Sequence, residues 1–293
     1  MSRKSQFDLF FHAIENYFDG LAVRSFSERT LAEIYYKHQS IWQTPSTKYA
    51  SHFISFLEKK GVLFMTSFSN ESNNNKIIYS WKTQDDFTIM SGLKNGAYYS
   101  HYSALFIHQL TLQIPKTFYL NYEHSSDMTP VTGKPNLTQA AIDKAFSASQ
   151  RKTTLSYSFN ERKVFILNGK KTGKLGVLKE KNEKQCYEYT DLERTLIDIA
   201  IRPVYAGGIF EVLEAYKKAK DKIDTKKLTD YLSALDFIYP YNQVIGFYLE
   251  RAGYSETDLK LFEKKSTLKF YLTYDIRNKD FSERWQLYFP KGV

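Results

Sequence analysis

Residues 190–208 read TDLERTLIDIAIRPVYAGG, which specifies the start of a helix, its end and a sharp turn. Thr190 and Glu193 have the T-x-x-E spacing of a capping box, so we expect the helix to begin there. Arg194 and Asp198 are four residues apart and are expected to form an ion pair. Apolar residues recur at helical spacing and predict one buried face. They are Leu192, Leu196, Ile199 and Ala200.

The end of this helix is also defined by the sequence. Pro203 disfavours helical geometry at Arg202, so we expect the helix to stop there. Gly207 and Gly208 permit a tight reversal into a second amphipathic helix. The side chains that this second helix would bury are Ile209, Val212, Leu213 and Tyr216. No residue pattern in the stretch is typical of a catalytic site, and a buried helical hairpin with a salt bridge is the simplest interpretation.

The composition is that of a globular chain rich in aromatic residues. The 293 residues are 42% hydrophobic, with 23 Tyr and 22 Phe, and predict about two domains. The one cysteine, Cys186, excludes an internal disulfide, and its strand-like surroundings predict a buried thiol. The start has no apolar signal region, and no apolar run reaches the roughly 18 residues of a membrane span. We therefore expect a cytoplasmic protein with no membrane association.

The positive charge is concentrated in one part of the chain. Of the net charge of +9, residues 151–184 carry ten basic and three acidic side chains. Basic surface of this kind suits polyanions such as nucleic acid, although a solvated face is the alternative. Four of these cations are candidates for a second basic surface: Arg162, Lys163, Lys170 and Lys171.

Residues 1–82 have the element order of a winged helix-turn-helix. Helical spacing of apolar residues predicts a first helix near residues 7–18 and a second over residues 28–36, with Ser27 as its N-cap. A third helix is predicted over residues 48–60, capped by Ser46 or Thr47. Two strands follow, at 62–67 and 76–81, joined by a polar, Asn-rich loop.

In such a domain the third helix enters the major groove with its N-terminal end. The residues on its outer side donate hydrogen bonds to phosphates or base edges, and none is acidic. With one lysine of the wing, they predict a DNA-binding face, the alternative being a winged helix that docks protein. This face consists of Thr47, Lys48, Ser51, His52, Ser55, Lys59 and Lys76.

Residues 83–293 predict a larger domain of mixed strands and helices, which makes the fold class α+β. Strands are expected at 153–159, 162–167 and 174–178, with turns at Asn160 and at Asn168-Gly169. Helices are expected at 209–222, 226–235 and 241–252. Further strands are expected over 267–274 and 286–289.

A search for catalytic patterns finds no phosphate-binding loop, dinucleotide fingerprint or nucleophile elbow. Glu161-Arg162-Lys163 resembles the E-x-K of metal-dependent nucleases, which also need an Asp on a neighbouring strand to bind magnesium. The nearest upstream candidate is Asp143, in a helical pattern. His101 and His108 lack ligand spacing and are interpreted as structural. We expect no catalytic residues, metal or cofactor, and the nuclease remains an alternative.

Three blocks carry a resemblance to a known family. They are residues 98–105 (YYSHYSAL) with His108, residues 114–117 (IPKT), and residues 191–208. Together with the N-terminal winged helix, they resemble the AbiEi antitoxin family of type IV toxin–antitoxin and abortive-infection systems. Tyr102 stands where the family pattern has Trp. The residues that match the family motif are Ser100, His101, Glu193, Arg194, Asp198, Arg202, Tyr205, Gly207 and Gly208.

The resemblance implies a cytoplasmic protein of two domains. Its winged helix, residues 1–82, would bind inverted repeats of double-stranded DNA in its own promoter and repress transcription. Its antitoxin domain, residues 83–293, would neutralise a nucleotidyltransferase-class toxin, without requiring a stable complex. No catalytic residue is implied. A stand-alone transcriptional regulator is a further alternative to the nuclease.

If the second basic surface binds nucleic acid, replacing Arg162, Lys163, Lys170 and Lys171 by neutral residues will weaken DNA affinity or toxin neutralisation. Gel shifts over a salt series and growth rescue on toxin co-expression measure the two effects, because phosphate contacts make affinity fall steeply with salt. Unchanged gel shifts together with unchanged rescue would contradict the assignment.

Overall fold

The computed structural model describes residues 5–45, 47–124, 137–264 and 266–293. Helices and strands are mixed along the chain and confirm the predicted α+β class. Ser46, one of the two caps expected for the third helix, lies outside the described residues.

Contacts divide the chain into two compact units. Unit 1 consists of Met1–Tyr98, Ser156–Val164 and Lys179–Glu188, and unit 2 contains the remaining residues. The chain therefore passes between the units more than once. The expected division into folding domains after residue 82 remains a prediction.

Unit 1 begins with the elements of a winged helix-turn-helix. β1 lies between the first helical segment and the helix pair, and it joins the wing strands in a sheet of order β1-β3-β2 with antiparallel pairing. Helical segments followed by a hairpin are the order that the sequence predicted, and β1 is an additional strand. The elements are α1 Gln6–Leu9, α2 Phe11–Gly20, β1 Ser25–Ser27, α3 Glu28–His38, α4 Ala50–Lys59, β2 Leu63–Phe68, β3 Lys76–Trp81 and α5 Asp86–Ser91.

Three local details of this region differ from expectation. The first helix is divided at Phe10 into α1 and α2. β1 is too short for its period-2 pattern to be recognised in the sequence. The third helix, α4, starts at Ala50, because Tyr49 before it has extended backbone angles, φ −103° and ψ 164°, and serves as the N-cap.

Aromatic packing holds unit 1 together. The indole of Trp81 stacks on Phe18 at 4.6 Å, and its Nε1 donates to Asp19 Oδ1 at 2.7 Å. Phe53 of α4 is fully buried and stacks on Tyr35 and Trp42. This core buries the apolar side of α4 and leaves the opposite side in solvent.

A second hairpin belongs partly to unit 1 and lies against the wing. It is formed by β6 (Ser156–Phe159) and β7 (Arg162–Gly169). Asn160 and Glu161 between them both have positive φ, as a two-residue I′ turn requires. Ser69 and Ser158 exchange backbone hydrogen bonds of 3.0 and 2.8 Å, which covers the end of the wing edge.

The other elements include two further sheets. A six-stranded sheet has the order β6-β7-β5-β4-β9-β8, and a three-stranded sheet has the order β10-β12-β11. The strands are β4 Tyr98–Tyr99, β5 Thr117–Glu123, β8 Val177–Lys181, β9 Cys186–Thr190, β10 Phe270–Tyr271, β11 Lys279–Ser282 and β12 Leu287–Pro290. The helices are α6 His101–Ile107, α7 Gln139–Phe146, α8 Leu192–Ile201, α9 Ile209–Ala219, α10 Thr225–Leu235, α11 Tyr241–Arg251 and α12 Glu256–Lys260.

The helix predictions in this part are confirmed to within a few residues, whereas the strand predictions are less accurate. The turn expected at Asn168-Gly169 is wrong, because β7 continues through both residues. The strand expected at 174–178 begins at Val177 instead, and β11 was not expected. Cys186 is buried as predicted. Among the described residues, no helix has the length and apolar character needed to cross a membrane.

Gly246 in α11 allows Trp285 to pack against the helix. A Cβ at this position would lie 2.1 Å from the indole ring, which is 2% exposed. We expect Gly246→Ala to lower the free energy of unfolding by about 1–3 kcal/mol, because a packed indole must move. Urea unfolding measures the change.

The matched control is Gly20→Ala at the end of α2, where a Cβ meets nothing within 4 Å. The gain in helix propensity there predicts a change between zero and about +1 kcal/mol. A Gly246→Ala variant as stable as the Gly20→Ala variant would contradict the packing argument.

Candidate nucleic-acid interface

The polar side of α4 forms the candidate interface. Its apolar positions, Ala50, Phe53, Ile54 and Leu57, face the core of unit 1. The hydrogen-bond donors on the other side of the helix, and two more in the residues just before it, are exposed. They are Thr47, Lys48, Ser51, His52, Ser55 and Lys59.

Two contacts fix the N-terminal end of α4. The buried Tyr35 donates its hydroxyl to Lys48 O at 3.0 Å and so holds the chain just before the helix. The amide of Tyr49 donates to Nδ1 of His52 at 3.2 Å. The rings of Tyr49 and His52 stack at 5.9 Å and 25°. Both rings are exposed, and they present an ordered aromatic pair at the start of the helix.

Lys76, the expected wing contact, has an internal role. Its Nζ donates to Leu93 O at 2.7 Å and lies 5.0 Å from the ring centre of Tyr157. Burial, and then the nearby charge of Lys94, lower the pKa of Lys76. The exposed donors of the interface therefore come from α4 and the residues just before it.

The four cations of the second basic surface fall into two pairs. Arg162 contacts Asp86, and Lys163 contacts Glu71 at 2.8 Å, all within unit 1. Lys170 belongs to unit 2 and donates to the carbonyl oxygens at the C-terminal end of α10, with Leu235 O at 3.1 Å. Lys171, also in unit 2, is exposed. Arg162, Lys163 and Lys170 thus contact other groups of the protein.

Other lysines of the basic segment stabilise unit 1. Lys179 and Lys181 donate to Ala22 O and Leu21 O, the carbonyl groups that follow α2. Cations near a helix C-terminus are favourable, because the unpaired carbonyls there carry partial negative charge. Part of the local charge excess is therefore structural.

The capping box expected at the start of α8 is not formed. Asp191 is the N-cap, and its Oδ1 accepts the amide of Arg194 at 2.9 Å. Thr190 instead hydrogen-bonds Thr195, at 2.7 Å between hydroxyl oxygens. The prediction failed because Asp is a charged acceptor one residue further along, and its carboxylate also favours the positive helix N-terminus.

A buried network surrounds this helix in unit 2. Lys227 contacts Asp191 Oδ2 at 2.9 Å and Glu193 Oε2 at 2.8 Å. Burial opposes the charge of Lys227, but hydrogen bonds to Glu193 and Asp191 exceed that cost and raise its pKa. The expected ion pair of Arg194 with Asp198 is confirmed at 2.9 Å. These residues of the family motif therefore stabilise the fold of unit 2.

The end of α8 and the turn are as predicted. The helix stops at Ile201, a single 3-10 turn spans Pro203–Tyr205, and both Gly207 and Gly208 have positive φ. The guanidinium of Arg202 is exposed and lies 5.8 Å from the ring centre of Tyr205. The turn after the 3-10 segment reaches a cavity of about 450 Å³ at Gly207. Lining residues include Tyr102, Ile114, Lys116, Tyr119 and Gly207.

The two histidines of the first family block are structural, as interpreted. His101 is buried with φ +52°, and its Nδ1 lies 2.8 Å from Ser100 Oγ. Burial lowers the pKa of His101 to about 4. His108 donates from Nε2 to Thr190 O at 2.8 Å, and burial lowers its pKa as well.

The residues of the nuclease alternative occupy a turn, the strand β7 and the helix α7. Glu161 lies in the I′ turn, and Lys163 is paired with Glu71. Asp143 lies in α7, where its Oδ1 accepts Gln139 Nε2 at 2.7 Å and Tyr271 OH at 2.9 Å. Across the described ranges, no three His, Cys, Asp or Glu side chains are grouped to hold a metal ion.

The buried His101 predicts a dependence of stability on pH. The pKa of His101 is about 4 in the folded chain, because burial outweighs the opposing charge of Asp198, with Arg202 and Arg194 lowering it further. Its ordinary value is 6.5. The unfolded chain therefore takes up the proton more readily. The free energy of unfolding therefore has its full value, as far as His101 is concerned, above about pH 6.5. It falls by about 3 kcal/mol as the pH is lowered towards 4.

His101→Asn removes this titration, while Asn still tolerates a positive φ. Urea unfolding at pH 7 and pH 4.5 should show a smaller acid loss for the variant than for the parent chain. His108 titrates in both proteins, so the difference between them reports on His101. Equal acid losses would show that His101 makes no such contribution.

Neither a scan of protein-family models nor a search of curated proteins matches this sequence. Among solved structures, the chain is similar to one described as the crystal structure of the RV2827C protein from Mycobacterium tuberculosis. The TM-score is 0.50, and the match covers 96% of this chain and 91% of that chain at 10% sequence identity. At such low identity the likeness concerns the fold alone, and it extends over nearly the whole of both chains.

Proposed function

We propose that the chain is a DNA-binding antitoxin that represses its own promoter and neutralises a nucleotidyltransferase-class toxin. The observation that carries the DNA-binding part is the exposed donor face of α4 within a winged-helix arrangement. The antitoxin part is supported by the three sequence blocks that resemble the AbiEi family.

The DNA-binding part follows from what α4 presents to solvent. Lys48 and Lys59 are exposed cations at the two ends of the helix face, suited to phosphates on either side of a groove. The hydroxyls of Ser51 and Ser55 and the ring of His52 lie between them, at the positions that meet base edges. Two copies of this helix on one operator would read an inverted repeat.

The antitoxin part concerns unit 2. The family-motif residues Glu193, Arg194 and Asp198 form its buried ionic contacts, so the motif specifies a particular fold. That fold leaves Arg202 exposed, and Gly207 of the following turn lines a cavity together with Tyr102 and Tyr119. Neutralisation of the toxin requires no stable complex in a type IV system. A stand-alone regulator would share the DNA-binding face and lack any effect on the toxin.

The test uses the full chain with Lys48→Gln and Lys59→Gln together. We expect the double variant to bind operator DNA at least tenfold more weakly, and its salt dependence to become less steep, because two phosphate contacts are lost. Repression of a promoter reporter should be lost as well. Rescue of growth from a co-expressed toxin, encoded by an adjacent nucleotidyltransferase-like gene, should be unchanged.

The control is Lys218→Gln, an exposed lysine on α9 in unit 2, which should leave DNA affinity as it was. Unchanged operator binding by the double variant would refute the proposal that α4 is the helix that binds DNA. A parent chain that represses but never rescues growth would identify a stand-alone regulator. Magnesium-dependent cleavage of the DNA would instead favour the nuclease.

A further inference from the structure

The neutral ring of His52 has its proton fixed by a main-chain contact. The amide of Tyr49 donates to Nδ1 at 3.2 Å. A main-chain N–H group has no lone pair to offer, so Nδ1 must be the acceptor in this contact. The proton of the neutral imidazole is therefore on Nε2, which makes that nitrogen a donor and not an acceptor.

The same contact sets the direction of the ring. His52 is the third residue of α4, the position from which a side chain reaches back to the N-cap amide. The ring also stacks on Tyr49, which is 61% exposed. Because Nδ1 faces the backbone and the two ring nitrogens diverge, Nε2 is directed away from the helix. Among the described residues Nε2 of His52 has no hydrogen-bond partner.

We propose that His52 recognises guanine in the major groove, donating a hydrogen bond from Nε2 to N7 or O6. The inference rests on the proposed DNA binding and specifies which base this residue reads. Guanine presents two adjacent acceptors, so a single donor meets no repulsion over that edge. Adenine places an amino donor beside its N7, cytosine presents a donor, and thymine has a methyl group beside O4.

The neighbouring side chains discriminate less. The hydroxyls of Ser51 and Ser55 both donate and accept, so they tolerate several bases. Lys48 and Lys59 carry flexible point charges suited to phosphates. His52 is the one ring on this face whose donor atom and direction are both fixed. The preference for one base at a given DNA position is therefore attributed to His52.

The experiment selects bound duplexes from a random DNA pool at one fixed salt concentration. The parent chain should enrich duplexes with guanine at one position of each half-site. His52→Ala should lose the preference at that position, with affinity for the selected duplex falling about five- to tenfold. His52→Gln should shift the preference towards adenine, because a carboxamide pairs with its N7 and N6. Lys59→Gln should weaken binding without changing the selected sequence.

Changes in the DNA keep the test independent of the stability of the variants. Replacing the selected guanine by 7-deazaguanine, which lacks N7, or by 2-aminopurine, which lacks O6, should weaken binding by the parent chain in at least one case. The affinity of His52→Ala should not respond to that same replacement. If neither replacement affects the parent chain, or the selected site has no guanine, the inference is overturned while DNA binding stands. If the pool yields no bound duplex, both the DNA-binding proposal and the inference are overturned.

Discussion

Unit 2 depends on a carboxylate that folding removes from water. Asp191 is 5% exposed and accepts from the amide of Arg194, the hydroxyl of Tyr231 and the ammonium of Lys227. A buried carboxylate without partners costs several kcal/mol, so these donors must arrive together as the unit folds. The amide of Asp191 also donates to Gly176 O at 2.7 Å. One residue thereby joins the start of α8 to α10 and to the loop before β8.

Unit 1 relies instead on aromatic packing, which leaves the polar side of α4 in solvent. The buried stripe that includes Phe53 fixes the rotation of α4, so the polar positions face solvent as a group. Tyr35 holds the chain before the helix, and Tyr49 with His52 orders the first turn. An interface arranged in advance loses less conformational entropy on binding, which favours recognition by fixed donors.

The positive charge of the chain has more than one role. Residues 151–184 are strongly basic, yet Arg162 and Lys163 contact acidic side chains, and Lys179 and Lys181 bind carbonyl groups after α2. A count of charges locates cations but does not reveal their partners, which come from distant parts of the chain. The exposed cations Lys48 and Lys59 belong to a region of modest net charge, where their position on one helix face matters more than the total.

The sequence by itself determined the elements whose signals are local. Helical periodicity with Pro203 and the two glycines defined α8, its end and α9, and the apolar spacing of α4 defined its polar face. Only the tertiary structure decided which acceptor caps α8, that β7 runs through Gly169, and that Lys76 donates to Leu93 O. The path of β7 and the contact of Lys76 depend on partners elsewhere in the chain, which local periodicity does not encode. The cap of α8 was instead decided between two adjacent acceptors, Thr190 and Asp191. The position of the proton on His52 follows from the sequence and the structure together. The sequence shows the histidine, and only the structure shows that the amide of Tyr49 contacts its ring.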